Sequence, residues 1–255
     1  MAKLLRFEYA SMTDRGCVRA ENADYVGVYV PVSSVEQLTS GSLFLVADGV
    51  GSAEDGRKAG KIAVHHIFSN YYENSIADAR TQLRMAIERT NQELFALSEQ
   101  SGVQGSYATT IVAALIHRES LIIAAVGDSR AYFIHTGHIE QVTVDHTLVN
   151  HLLQKGAITN EEAISHPKRN VITRSLGVRE SVNIDFFLRG ALPGDMVILC
   201  SDGLSRYISM DELLRDSLGN DIKSLPENWI EKAKARGGRD NISVNVIQFS
   251  SVEEL

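Results

Sequence analysis

A chain of 255 residues, 44% hydrophobic and 22% charged, can bury a sizeable core without disulfides or a structural metal, which excludes extended disorder. Its formal net charge of −7 excludes a general positive field, and with it nucleic acid or an anionic membrane as the main partner. The two cysteines, Cys17 and Cys200, form no CxxC pair and read as small buried hydrophobes of a reducing compartment. The first residues hold no signal-like stretch, and the longest apolar runs, 111–116 and 121–126, are too short to span a bilayer, so a cytoplasmic protein is expected.

In chain order, 3–9 and 25–30 read as strands, and 43–47 is an apolar run that stops at Asp48-Gly49, a buried strand meeting a turn. Ala59, Ile62, Ala63, Ile67 and Tyr71 recur at helical spacing, as do Leu83, Ala86, Ile87, Leu94 and Leu97. Two helices packed side by side over a sheet are expected. Residues 109–117, 120–126, 130–135 and 138–142, separated by turn-like breaks, predict a meander. The polar, partly helical stretch 145–179 interrupts the pattern. Strands resume at 182–188 and 196–200, and helical patterns fill 210–218 and 221–235. In 242–249, Ile242, Val244 and Val246 alternate with Ser243 and Asn245, which predicts one buried face and one polar face. Four prolines and no low-complexity segment leave no linker, so 1–255 reads as a single domain. The fold class is α+β, a sandwich of two antiparallel β-sheets flanked on each side by paired helices, αββα.

Aspartates at strand ends carry the chemistry. Asp48, Asp128 and Asp202 each follow an apolar strand, and Asp24 and Asp240 each precede one. In an antiparallel sheet the end of one strand lies beside the start of its neighbour, so five carboxylates remote in sequence can gather on one rim. Such a cluster repels itself unless it holds cations or protons. Oxygen ligands without cysteine or an HExxH pattern point to Mg²⁺ or Mn²⁺ rather than zinc. Glycine directly after Asp48 and Asp202 allows a sharp turn and close approach of a metal or phosphate. Any one of these placements is equally an ordinary turn; the set of five is much less readily so. Arg19 can clamp a phosphate with its planar fork, or lie solvated at the surface. The histidines show no ligand spacing.

Residues 13–24, Thr-Asp-Arg-Gly-Cys-Val-Arg-Ala-Glu-Asn-Ala-Asp, resemble the opening motif of the metal-dependent protein serine/threonine phosphatases of type 2C. Residues 46–51, Val-Ala-Asp-Gly-Val-Gly, are similar to their metal-binding turn. Ala108-Thr109-Thr110, residues 126–131, Asp145-His146-Thr147, His166-Pro167, Ser201-Asp202-Gly203-Leu204 and residues 237–242 follow in the family's order, so the resemblance spans nearly the whole chain. It implies two Mn²⁺ or Mg²⁺ ions bridged by a hydroxide, with a third, weaker site. By the same resemblance Asp48 bridges the two metals and Gly49 gives its carbonyl to the second. Asp202 and Asp240 hold the first, Asp24 orients metal-bound water, Arg19 binds the substrate phosphate and Asp128 contributes to the third site. A flap lies within 145–179. The implied reaction is hydrolysis of phosphoserine and phosphothreonine in proteins without a covalent nucleophile. The expected partners are phosphoprotein substrates and a cognate Ser/Thr kinase, with the chain itself a monomer.

Three positions depart from the family pattern. Ala23 stands where Glu or Gln is usual, Arg206 where many members carry Asp or Glu, and Val50 where animal members place a histidine. Ala23 favours an alternative reading, a catalytically weak relative that binds phosphoproteins. The retained Asp48, Asp202 and Asp240 argue for catalysis, because a binding module has no need of all three. A sensor of divalent ions without chemistry has no use for Arg19.

Overall fold

A computed structural model describes residues 3–50, 53–73 and 78–254. In chain order its elements are β1 (Lys3–Asp14), β2 (Asp24–Tyr29), α1 (Ser34–Ser40), β3 (Ser42–Val50), α2 (Ala53–Tyr72), α3 (Ala79–Ser101), β4 (Ala108–Thr109) and β5 (Ile111–His117). There follow β6 (Ser120–Val126), β7 (Arg130–His135), β8 (His138–Gln141), α4 (Leu148–Gln154), α5 (Asn160–Ser165), β9 (Asp185–Gly190) and β10 (Met196–Cys200). The last are α6 (Asp202–Ser205), α7 (Met210–Gly219), a 3₁₀ turn at Ile222–Ser224, α8 (Leu225–Ala235) and β11 (Ile242–Glu254). The strands form two antiparallel sheets, one in the order β1-β11-β10-β7-β8 and the other β2-β3-β5-β6-β9, with β4 paired to the end of β3.

Strand alternation builds three apolar layers. Along β3, Leu43, Leu45 and Ala47 face α2 and α3, while Phe44 and Val46 face the other sheet. β5 divides in the same way, Ala113 and Leu115 one way, Val112 and Ala114 the other. On β10, Val197 and Leu199 join the layer between the sheets, and Met196, Ile198 and Cys200 join Trp229 and Ile230 beneath α8. Each fully buried side chain of this size contributes roughly 1.5–3 kcal/mol. The four layers agree with the αββα expectation. Helix ends are set locally: Asp78 caps α3 by accepting from Thr81 N at 2.9 Å, and Ser209 and Glu212 close a capping box on α7.

Several expectations need correction. Cys17 is exposed, in the loop between β1 and β2; only Cys200 is buried, and burial pushes its thiol up to about 12. Ser243 and Asn245 form no polar outer face. β11 lies between β1 and β10 in a sheet covered on both sides, so both residues are fully buried, and Asn245 Nδ2 crosses to Leu45 O of the other sheet at 2.9 Å. β9 begins at Asp185 rather than 182, and 221–235 is broken by a 3₁₀ turn before Pro226 in the first turn of α8. The short α1 shows no periodicity in sequence; Ser33 caps it and Gln37 is its buried residue.

Candidate active site

β1 and β11 run side by side to Asp14 and Ile242, so the loop after β1 and the loop before β11 emerge together. Asn241 joins them. Its Oδ1 accepts from Ala23 N at 2.8 Å, and its Nδ2 donates to Arg15 O and Glu21 O, both at 2.9 Å. Gly16 sits at φ +75°, and a Cβ there would lie 2.1 Å from Asp240 O. This close approach sets Arg19 on Asp240: Nε and Nη2 donate to the two carboxylate oxygens, each at 2.8 Å.

The other carboxylates arrive from strand ends. Asp24 and Asp48 are directly opposed across β2 and β3. Ser201 Oγ donates to Asp24 Oδ2 at 2.7 Å, and Thr110 Oγ1 accepts from Asp48 N at 3.1 Å. Gly49 cannot carry a side chain, because a Cβ would meet Gly56 O of α2 at 2.1 Å and Ala23 O at 2.8 Å. Asp202 opens α6 and Asp128 occupies the turn between β6 and β7; both are buried. Arg19, Asp48, Gly49, Asp202, Arg206 and Asp240 border one cleft of about 260 Å³. Asp128 and Asp202 border the adjoining space beneath α4 and α5, about 490 Å³. The structure thus brings together all seven residues singled out in the sequence. Gly51, which ends the Asp48-Gly49 motif, lies outside the described residues.

Charge crowding shows in the protonation equilibria. Loss of solvent, reinforced by neighbouring carboxylates, pushes Asp24 and Asp128 up to about 7 and raises Asp48 well above the usual carboxylate range. Asp202 is raised by burial and held back by Arg206. Arg206 turns inward, onto Asp202 Oδ2 rather than Asp128, with its Nη1 3.9 Å from Asp240 Oδ2. Among the described residues no three His, Cys, Asp or Glu side chains stand as a ready-made metal cage; Arg19 holds both oxygens of Asp240, and Arg206 holds Asp202 Oδ2. The donor chemistry nevertheless fits a hard divalent ion. It is all carboxylate oxygen, it repels itself, and Asp128 Oδ1 and Asp202 Oδ1 are buried without a hydrogen-bond partner among the described residues.

Sequence reasoning missed Asn241, whose adjacency to Asp240 was the available signal, and a network at the root of 145–179. There His146 Nδ1 accepts from Gly127 N at 3.0 Å, which leaves Nε2–H to donate to Asp185 Oδ2 at 3.0 Å. Arg174 donates to Asp185 Oδ1 at 2.6 Å. Burial lowers the His146 pKa, so the ring is held neutral.

The protein phosphatase 2C family model matches residues 28–237. The serine/threonine phosphatase stp of Listeria monocytogenes is 33% identical over 243 residues, covering 92% of this chain and 93% of its own. The S. agalactiae serine/threonine phosphatase superposes with a TM-score of 0.85 at 29% identity, over 96% of this chain and 100% of its own. The catalytic domain of the phosphatase PstP, solved with two manganese ions, gives 0.82 at 30% identity, over 98% of this chain and 100% of its own. The chain belongs to the protein phosphatase 2C family, whose members are metal-dependent. By class it is a serine/threonine protein phosphatase.

Proposed function

We propose that the chain is a single catalytic domain that hydrolyses phosphoserine and phosphothreonine in proteins, opposing a Ser/Thr kinase, with 145–179 as a flap beside the site. The observation that carries this reading is the convergence of Asp24, Asp48, Asp128, Asp202 and Asp240 beside Arg19, with two buried carboxylate oxygens unpartnered among the described residues. Asp48, the Gly49 carbonyl, Asp202 and Asp240 would hold two Mn²⁺ or Mg²⁺ ions, and Asp128 would contribute to a weaker third site. Bound there, divalent ions supply a water of lowered pKa and polarised phosphoryl oxygens.

The chain's own groups do the rest. Arg19, held at the cleft mouth by its two bonds to Asp240, turns its remaining N–H donors to the phosphate and neutralises charge on the transferred group. Asp24, fixed by Ser201, orients the attacking water. Neither cysteine takes part. A second reading, a catalytically weak phosphoprotein-binding relative, draws on Arg206 lying over Asp202 and Asp240.

Hydrolysis of a phosphothreonine peptide with Mn²⁺ and with chelator separates the two. The phosphatase reading expects turnover only with Mn²⁺, and almost none for Asp240→Ala. Arg19 is mostly solvent-exposed, so Arg19→Ala should keep its melting temperature and lose kcat/KM by roughly 10²-fold, the equivalent of about 2–3 kcal/mol. Turnover by Asp240→Ala near the parent rate would overturn the assignment.

A further inference from the structure

Past Val50 and Ile172, which border both spaces, the aspartate cleft continues into a cavity of about 720 Å³. Its lining holds two arginines and, among the described residues, no acidic side chain. Arg174 is already neutralised, since its Nη1 donates to Asp185 Oδ1 at 2.6 Å and to Asn183 O at 3.2 Å. Arg179 is exposed and has no ion pair among the described residues. Hydroxyls of Thr173, Ser175 and Ser181 line the same space.

The loop carrying Arg179 is held from beneath. Buried Asn91 of α3 donates through Nδ2 to Arg179 O and Glu180 O, both at 3.0 Å, and its Oδ1 accepts from Gly177 N at 3.0 Å. Ser98 Oγ adds a bond to Gly177 O at 3.1 Å. With the backbone pinned in this way, only the rotamers of the Arg179 side chain remain to be ordered when an anion binds, not the loop that carries it. Val50 lies two residues beyond Asp48. A peptide with its phosphate over the aspartates, advancing about 3.3 Å per residue, enters this cavity within a few residues.

We propose that this cavity is a substrate subsite for an anionic side chain near the phosphorylated residue, with Arg179 as the residue that reads it. The proposal rests on the phosphatase reading above. A carboxylate and a second phosphate share the required chemistry, two or more acceptor oxygens and negative charge.

The test scans a phosphothreonine peptide with alanine flanks, placing glutamate at one flanking position at a time. At the favoured position the parent enzyme should show kcat/KM about fivefold above the alanine peptide, the scale of one partly solvated Arg–carboxylate pair. Arg179→Gln should flatten this ratio and Arg179→Glu should invert it. A non-hydrolysable phosphonate analogue of phosphothreonine at that position that outperforms glutamate identifies phosphate as the natural group; glutamate that outperforms the phosphonate identifies a carboxylate. Indifference of the parent enzyme throughout the scan, or a preference that survives in Arg179→Glu, overturns the proposal. Fluorescence anisotropy with the same peptides reads the subsite without turnover. Acid preference in binding with no hydrolysis of any peptide or of p-nitrophenyl phosphate fails the phosphatase reading alone.

Discussion

Asn241 is where the site is most open to a single perturbation. It makes three hydrogen bonds to main-chain atoms of the loop that carries Arg19, and it is 5% exposed. Asn241→Ala removes all three. At about 1 kcal/mol each, since the freed groups lie near the surface and recover some water, the loss is about 3 kcal/mol. For a chain of this size that corresponds to a fall in melting temperature of about 6–12 °C. Asn241→Asp keeps the acceptor for Ala23 N but sets a carboxylate against two carbonyls and beside Asp240, so it should fall at least as far. Differential scanning calorimetry in chelator reads the stability. Phosphopeptide hydrolysis at saturating Mn²⁺ reads the consequence for Arg19, with kcat/KM expected to fall by at least about tenfold. A melting temperature within about 2 °C of the parent would refute the view that Asn241 ties the two loops together.

Arg206→Asp replaces the cation that lies on Asp202. In chelator the variant should melt about 3–6 °C lower, the loss of a partly solvated pair plus added repulsion, and millimolar Mn²⁺ should restore more of its stability than it does for the parent. Equal Mn²⁺-induced shifts in the two proteins would count against Arg206 as a resident counter-charge. Ala23→Glu adds a carboxylate at the cleft wall and should lower the Mn²⁺ concentration for half-maximal activity; superimposed titrations would show the position is without consequence. The raised Asp24 and Asp128 give a pH dependence of definite sign. Between the unfolded value near 4 and the folded value near 7 the folded state binds more protons, so stability in chelator should fall as pH rises through this window and level off above it. A melting temperature that climbs from pH 5.5 to 8 in chelator would contradict this. Proton competition should likewise raise the Mn²⁺ requirement below pH 7.

Much of the fold was legible because β3, β5 and β10 are short continuous apolar runs, the pattern of strands buried on both faces, and because an aspartate closing or opening an apolar strand marks a rim. The gathering of Asp24 against Asp48 follows from antiparallel pairing alone. What was not legible depends on register between distant segments. Nothing local says that Arg19 meets Asp240, 221 residues on, or that Arg206 turns onto Asp202 instead of Asp128 or solvent. Ser243 and Asn245 were misjudged because alternation cannot separate a solvated face from one buried against a second sheet, where Asn245 finds Leu45 O. Cys17 beside Val18 reads as core, yet both lie exposed in the loop after β1, where Gly16 alone is tucked against Asp240.

The pairing of the first strand with the last has a consequence for biosynthesis. During translation the ribosome delivers Arg19 some 221 residues before Asp240, which is followed directly by Asn241 and the strand that inserts between β1 and β10. Closing that ribbon brings together segments more than two hundred residues apart, the slowest kind of contact to form. A nascent chain therefore carries no assembled aspartate cleft until β11 has emerged, and a chain cut short before Asp240 leaves Arg19 without the carboxylate that positions it. In this architecture the cleft is assembled only when β11 and the loop before it reach β1.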